Sequence, residues 1–443
     1  MTRAPRGRTV AVVGAGAAGL TAALRAAEAG ARVTLFNAHP KIGLKILMSG
    51  GTRCNVTHRE VDASDFNGGS RPFVARILRA FPAEAARAWI ESLGVTLKLE
   101  PTGKYFPETD DAQTVLDALM AAVQRAGVEV IAGARVIRLE PRSGVDVHGY
   151  RLGIQRVADS AAFGSGAVSP HAVASWPALE IEPDTRAEAD AVIIATGGLS
   201  FPRTGSDGTG YRMLAALGHT FEPTVPALTP LTAADPLCRA LQGVTLEAEL
   251  TLRVDGKRAA STRGSFLIAH FGYSGPAALD LSRHWHRAEG SARAVSASFM
   301  PGETVETLLN GWVAAARTEP NITTRRWLSR RLPERLAAAL CSEAGVEPSH
   351  AIAQVGRAAR AKLIAAICER PLPVTGTLGY EKAEVTAGGV RLSEVDPSTL
   401  ESRKAAGVFI CGEALDVDGR LGGFNFQWSW SSGTVAGRAA AST

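Results

Sequence analysis

The sequence predicts an α/β protein in which a nucleotide-binding domain is interrupted by an inserted antiparallel β domain and a helical segment. Three observations carry that prediction. Residues 8–13 (RTVAVV), 14–19 (GAGAAG) and 31–37 (ARVTLFN) read as strand, glycine turn with following helix, and second strand, a βαβ unit beginning almost at the first residue. Residues 244–254 (VTLEAELTLRV) alternate strictly between apolar and polar, as an antiparallel strand with one wet face does. Residues 405–414 (AAGVFICGEA) return to the texture of a buried strand and precede a final helix from about Asn425.

Between these landmarks the first helix is expected from about Ala17 to Ala29, stopping at Gly30. Helical spacing recurs over 83–93 and 112–126, short strands are expected at 128–132 and 134–139, and ADAVIIATGG (189–198) is a strand ending in two glycines. Residues 157–177, rich in Ala, Ser and Gly, read as an extended surface loop. Residues 303–370 are mostly helical, and strands resume beyond Pro373. The domain plan is therefore residues 1–205 with 374–443 as the nucleotide-binding domain, 206–302 as the β domain and 303–373 as the helical segment.

A chain of 443 residues, 46% hydrophobic and 21% charged, has material for more than one core. Every apolar stretch is interrupted before about 18 residues, so no membrane span is expected, and the protein is read as cytoplasmic. The five cysteines (Cys54, Cys238, Cys341, Cys368, Cys411) are scattered, odd in number and without a CxxC pair, which argues against a zinc ribbon or dithiol relay and predicts free thiols. The net charge of +5 is modest, and the densest basic run, TTRRWLSRRLPER (323–335), reads as a solvated helix face. Nucleic acid is accordingly not the expected partner; a small molecule is.

Gly14, Gly16 and Gly19 carry the first chemistry. Set between strand and helix, they permit the tight turn, the close approach of a pyrophosphate and the packing of helix on strand. The helix N-terminus offers N–H groups and partial positive charge to the phosphates. An acid at the end of the second strand would grip the adenosine ribose; this chain has Asn37 there, whose amide hydrogen-bonds without charge and leaves a 2′-phosphate unrepelled. Two further stretches point to FAD. Thr196 and Gly197 in ATGG supply a second close backbone approach, and CGEALDVDGRLGGFNFQWSW (411–430) opens the last helix on Gly422 and Gly423. Such a helix start stabilises negative charge on a reduced flavin, and Glu413 and Asp416 are candidates for the ribityl hydroxyls.

Together GAGAAG, HPKIGLKILMSGGTRCNVTH (39–58), ATGGLSFPRTGSDGTGY (195–211), AHFGYSGPAAL (269–279) and GEALDVDGRLGGFNFQWSWSSGTVAG (412–437) resemble the YhiN/BaiN-like NAD(P)/FAD-dependent oxidoreductases, also called aminoacetone oxidase-type flavoproteins. The resemblance implies a glutathione-reductase-like Rossmann FAD domain with an inserted barrel-like β domain. It places cofactor contacts at Gly14, Gly16, Ala17, Ala18, Gly19 and Asn37, and in the loop at Lys45, Ser49, Gly50 and Asn55. Further contacts are implied at Val136, Thr196, Gly197, Gly412, Glu413, Asp416, Gly422, Gly423, Phe424 and Asn425. The chain departs from the family pattern at Asn37 (usually an acid), Thr52 (a third glycine), Tyr273 (aliphatic) and Leu421 (small or hydroxyl), and its loop at 144–185 is longer. By the same resemblance Thr52 and Tyr273 would lie near the flavin.

The expected reaction is hydride transfer between flavin N5 and a small organic substrate, in the favoured form an NADH- or NADPH-linked reduction of an activated C=C bond with transient docking of the nicotinamide. Amine oxidation with O₂ is the enzymatic alternative; an RNA-modifying flavoprotein and a non-catalytic FAD-binding protein are the alternatives from other classes. His270 and Tyr273 are the candidate acid/base residues, each with a structural alternative as an anchoring or packing side chain, and Arg53 is the candidate for orienting an anion. Cys54 reads as a bystander whose thiol Arg53 could render more acidic.

Overall fold

The computed structural model describes residues 7–142, 148–159, 163 and 175–442. The loop expected at 157–177 falls largely on residues 160–162 and 164–174, outside the described residues, as do 143–147 of the longer 144–185 segment. The chain forms two compact units, Met1–Pro226 with Ala383–Thr443, and Ala227–Lys382.

The first unit is built on five parallel strands: β1 (Thr9–Val13), β2 (Arg32–Asn37), β3 (Glu129–Ala132), β4 (Ala191–Ile194) and β5 (Val408–Ile410), in the order β5-β4-β1-β2-β3. Their apolar runs are buried; no side chain of β4 reaches solvent. An antiparallel sheet of Ala134–Pro141, Tyr150–Arg156 and Thr185–Ala189 belongs to the same unit. Helix α1 (Ala17–Glu28) packs on the terminal helix α3 (Phe424–Ser442), with α2 (Leu44–Thr52) between them in sequence. Small residues set the α1–α3 distance: a Cβ on Gly433 would stand 2.5 Å from Ala18 O, and one on Gly437 2.4 Å from Ala22 O. Indole hydrogen bonds from Trp428 to Gly412 O (3.0 Å) and from Trp430 to Val56 O (2.8 Å) fix the rotation of α3.

The second unit is an antiparallel sheet of seven strands, accompanied by the helices Pro276–Arg287, Val305–Thr318, Glu334–Ala344 and Arg357–Cys368 of its own sequence. The strand expected from alternation at 244–254 is Thr245–Val254, paired with Lys257–Ala269 on one side and Arg293–Ser298 on the other. One apolar core joins the sheet to the helices, with Phe266, Tyr273 and Val295 packed among Trp312, Leu336 and Ile364.

The units divide differently from the sequence-based plan. Residues 206–226 stay with the first unit because Gly210, in helix Thr209–Ala216, lies so close to Thr196 that a Cβ there would stand 2.0 Å from its hydroxyl. Val374–Thr377 belongs to the second unit because it pairs with Leu231–Ala233. The helices after Pro301 share the core of the sheet and are not a segment apart. Within them the basic run is an ion-paired surface: Arg330 bonds Glu319 through both terminal nitrogens (2.8 and 2.6 Å) and Arg331 pairs with Glu303 (2.7 Å). Among the described residues no helix is long and apolar enough to cross a membrane, and all five cysteines are free.

Candidate functional site: a glycine-lined cradle in the first unit

The turn between β1 and α1 is closed where the fold needs it closed and open where a ligand needs room. Gly14 has φ +103°, donates to Phe36 O (2.8 Å), and would place a Cβ 2.4 Å from Ala195 O. A Cβ on Gly19 would stand 1.8 Å from Gly14 O, so only glycine lets this helix approach the turn. A Cβ on Gly16 would meet nothing within 4 Å. No side chain caps α1 and its first turn has no acid, so the backbone at Ala17 and Ala18 presents a helix dipole to open space. This arrangement fits a pyrophosphate. Asn37 acts as a clasp: its Oδ1 accepts from Ala15 N (3.1 Å), and its Nδ2 donates to His39 O (2.7 Å) and Lys41 O (3.1 Å). With both amide protons committed, it has only oxygen lone-pair capacity left for a ribose.

Beyond β4, Thr196 and Gly197 (φ +74°) continue the rim. Glu413 forms a hub there. Its carboxylate accepts from Lys45 Nζ (2.6 Å), Ser200 Oγ (2.7 Å) and Thr386 N (2.9 Å), and Lys45 also donates to Ser200 Oγ (2.6 Å). The preceding Gly412 donates to Ser432 of α3 (3.0 Å), so the hub is tied to the terminal helix. Lys45 and Glu413 were each expected as a cofactor contact; their pairing with one another, across a long sequence separation, was not. Ser200 lay inside a quoted motif without a role, and Thr386 carried no signal at all, because its part is set by tertiary approach.

α2 breaks at Ser49, and its last residues and the chain leaving it are wound against their natural hand. Gly50 (φ +56°), Gly51 (+67°), Thr52 (+69°) and Cys54 (+60°) are all left-handed. For the β-branched Thr52 this costs on the order of 1–3 kcal/mol. Ser49 caps the turn below, donating to Ile46 O (2.8 Å). Asn55 is buried; it donates to Thr57 O (3.1 Å) and accepts from Gly423 N (3.0 Å), joining the loop to the start of α3. A Cβ on Gly423 would strike this same amide at 2.8 Å. Asn425 exchanges two hydrogen bonds with the backbone of Gly419 (2.8 and 2.9 Å), and Phe424 is fully buried between His58, at 5.0 Å, and the Arg420 guanidinium, at 4.1 Å. Gly422 and Gly423, both at positive φ, leave this helix start without side chains at the two residues before Phe424.

Arg53 is engaged by Glu100 (2.7 Å) and Asp110 (3.4 Å) and lies over Phe106 at 4.0 Å, so its charge is matched within the unit. It does not acidify Cys54. Burial pushes that thiol up to about 12, correcting the expectation that the arginine could lower it. Val136 is buried in strand Ala134–Pro141, opposite Ile154. Asp416 is buried beside Gly68 and Gly69, accepting from Gly69 N through its backbone oxygen (3.1 Å).

The remaining candidates lie in the second unit. His270 is exposed at the turn between Lys257–Ala269 and Gly272–Ser274. Tyr273, three residues on, is 2% exposed, stacks on Phe266 and donates to Asp235 Oδ2 (2.7 Å), which also pairs with Arg370 (3.1 Å). Burial and then Asp235 push the Tyr273 phenol well above its ordinary value.

A Ser–His–Glu constellation that the sequence did not announce lies in the first unit. His219 Nδ1 is 3.0 Å from Glu394 and its Nε2 is 2.8 Å from Ser402 Oγ. Ser402 Oγ also accepts from Lys404 N (3.0 Å) and Ala405 N (2.9 Å), which occupies the lone pairs a nucleophile needs. The group is a clasp between three segments. Among the described residues no cluster of three or more His, Cys, Asp or Glu is suited to a metal.

The HI0933-like protein Rossmann domain model matches residues 8–149 and 165–439. The chain is 31% identical over 436 residues to a 3-dehydro-bile acid delta(4,6)-reductase of Clostridium scindens, covering 98% of each chain. It is 31% identical over 427 residues to a ribosomal RNA dihydrouridine synthase of Escherichia coli, covering 95% of each. A solved structure similar to it is a 3-ketosteroid-delta4-(5alpha)-dehydrogenase of Rhodococcus jostii, 14% identical with a TM-score of 0.47, covering all of this chain and 98% of the other. The open Gly16 cradle between crowded glycines and the match over nearly the whole chain agree: the chain belongs to the HI0933-like family of Rossmann-domain proteins and is an FAD-dependent oxidoreductase.

Proposed function

We propose that the protein is a reductase that saturates a C=C bond conjugated to a carbonyl, with NADH or NADPH as the electron source. The observation that carries the reading is the open dinucleotide cradle at Gly16 and the uncapped α1. FAD bound there supplies the two-electron chemistry. The chain's own groups bind and orient. The first turn of α1 receives the pyrophosphate, Asn37 offers its oxygen to the ribose, and Lys45, paired with Glu413 and bonded to Ser200, holds the rim between them in place. The positive end of α3 favours an anionic cofactor edge through its dipole, the Gly423 N–H itself being held by Asn55. In the second unit, His270 is the solvent-accessible proton carrier of its hairpin, and Tyr273 is the anchor that holds that hairpin to Asp235.

The reaction class is supported by what two relatives are named for. One name describes reduction of a 3-dehydro-bile acid at delta(4,6), the other formation of dihydrouridine in ribosomal RNA. Both names describe saturation of a C=C bond, which takes two electrons and two protons; in the reaction proposed for this chain NADH or NADPH gives the two electrons with one proton and the second proton comes from solvent. Residues 227–382 hold 19 lysines and arginines against 14 acids, a modest excess of which Arg330 and Arg331 are ion-paired, so a free small molecule stays the favoured substrate and a ring carried on RNA is the alternative.

Anaerobic mixing of the FAD-loaded protein with NADH or NADPH is the test. Bleaching of the flavin by one of them, and its recovery on adding a conjugated enone or a uridine oligonucleotide, is the expected result. A flavin that neither nicotinamide reduces removes the nicotinamide-linked reading, and bleaching by an amine replaces it with an oxidase.

A further inference from the structure

We infer that Lys104 is a further catalytic residue, the countercharge for the negative edge that the cofactor acquires on reduction, with its stem lying against the bare start of α3. The inference rests on the cofactor placement in the reading above and not on its substrate. Lys104 opens the strand Lys104–Pro107, which pairs with Thr57–His58, the segment that follows Asn55. Asn55 accepts from Gly423 N, and the His58 ring stacks on Phe424 at 5.0 Å, so this strand is carried to the helix start. There a Cβ on Gly422 would stand 3.5 Å from Lys104 Cε.

The ammonium of Lys104 makes no ion pair and no hydrogen bond among the described residues. Carboxylates on the adjoining segments are spent on other cations. Glu100 pairs with Arg53 (2.7 Å), Asp110 with Lys98 and Arg53, Glu60 with Arg59 (3.3 Å) and Asp65 with Arg420 (2.7 Å). A half-buried cation beside a helix N-terminus has the wrong sign for the helix dipole, which favours anions there. An anion received between the two satisfies both. Hydride transfer from NADH or NADPH to flavin N5 brings two electrons and one proton, oxidises the nicotinamide and leaves one negative charge on the N1–C2=O side. The Gly423 N–H is already held by Asn55, so the full charge of Lys104 supplies what that backbone group cannot.

The test uses the full chain loaded with FAD and reads the midpoint potential of the bound flavin against a reference dye under slow anaerobic reduction. Lys104→Met is expected to weaken the reduced form relative to the oxidised form by about tenfold, a potential about 30 mV lower for the two-electron couple. Its affinity for oxidised FAD is expected to match the parent's. Lys104→Arg keeps the charge and is expected to stay close to the parent. Lys98→Met, in the same small sheet but with its ammonium paired to Asp110, is expected to leave the potential unchanged. A Lys104→Met potential equal to or above the parent's would overturn the inference. So would an arginine variant that falls as far as the methionine one, or an equal fall in Lys98→Met. Should Lys104→Met not retain oxidised FAD, Lys104→Gln repeats the comparison; loss of the oxidised cofactor from both overturns the inference, because the lysine then holds the cofactor in either redox state. A parent chain that holds no FAD removes the cofactor reading itself. A parent flavin that the dye system reduces and neither nicotinamide does removes only the nicotinamide-linked part of that reading.

Discussion

The two units solve the problem of a stable interior in opposite ways. Of the 21 buried polar or charged residues among those described, 17 lie in the first unit and four in the second. The first unit spends its interior on backbone approach and hydrogen bonding: Gly14 against Ala195, Gly19 against Gly14, and the Glu413 hub with Lys45, Ser200 and Thr386. The second is held by large apolar side chains around Trp312, Phe266 and Trp285, with one internal polar cluster at Tyr273, Asp235 and Arg370. A unit that must present bare backbone to a dinucleotide cannot fill the same space with side chains. Its stability therefore depends to a greater degree on hydrogen bonds between buried polar groups.

Substitutions that respect this contrast should separate the two units. The largest effect is expected from Gly19→Ala. Its Cβ would stand 1.8 Å from a backbone oxygen that cannot swing away, so the first unit should lose more than about 4 kcal/mol and bind no FAD, as read by flavin absorbance after gel filtration. Trp312→Ala is the counterpart. The indole is fully buried, and its loss should cost the second unit about 3–5 kcal/mol in urea unfolding while FAD stays bound. Flavin loss in that variant would show that the units do not melt separately.

Glu413→Leu tests the hub. It leaves the Lys45 charge without its counterion and Thr386 N without its acceptor and should cost about 1–3 kcal/mol, part of which Lys45→Met in the same chain should restore, measured by denaturant midpoint. A smaller, pH-dependent effect distinguishes the buried histidines. Burial lowers His284 of the second unit to about 4 and also lowers His219 of the first. Burial favours the neutral form of each in the folded state, so below about 6.5 each tends to take up a proton on unfolding. Stability is therefore full above about 6.5 and falls as pH drops towards 4, with a slope of at most about 1.4 kcal/mol per pH unit for each group. His284→Gln should flatten that slope in the second unit only. The smallest effect belongs to Arg330→Ala. Its pair with Glu319 is open to solvent, and the variant should be indistinguishable from the parent in Tm.

The sequence was most legible where local pattern and tertiary role coincide. The βαβ start, the alternating strand and the terminal helix were readable from periodicity. The glycines at 14, 16 and 19 were readable because a tight turn, a close approach and a helix contact each exclude a side chain. The domain borders were not: Gly210 against Thr196, and Val374–Thr377 beside Leu231–Ala233, join stretches far apart in sequence. The site was legible as a set of motifs and illegible as a network. Asn37 looked like a ribose contact, and its position in the fold spends both of its amide protons on His39 and Lys41.

Cys54 and Arg53 mark the boundary between the two kinds of knowledge. Adjacency in sequence suggested a charge beside a thiol. The left-handed turn at Thr52 and Cys54 instead sends the arginine to Glu100 and Phe106 and the thiol into the core, where burial raises its pKa. The sequence by itself determined fold class, family and the glycine turn between β1 and α1, because these rest on spacing that any chain conformation of that class must respect. The tertiary structure alone decided which polar groups are spent on one another and which remain for a ligand. Hydrogen-bond valence is finite, and only the folded arrangement shows where it has been used.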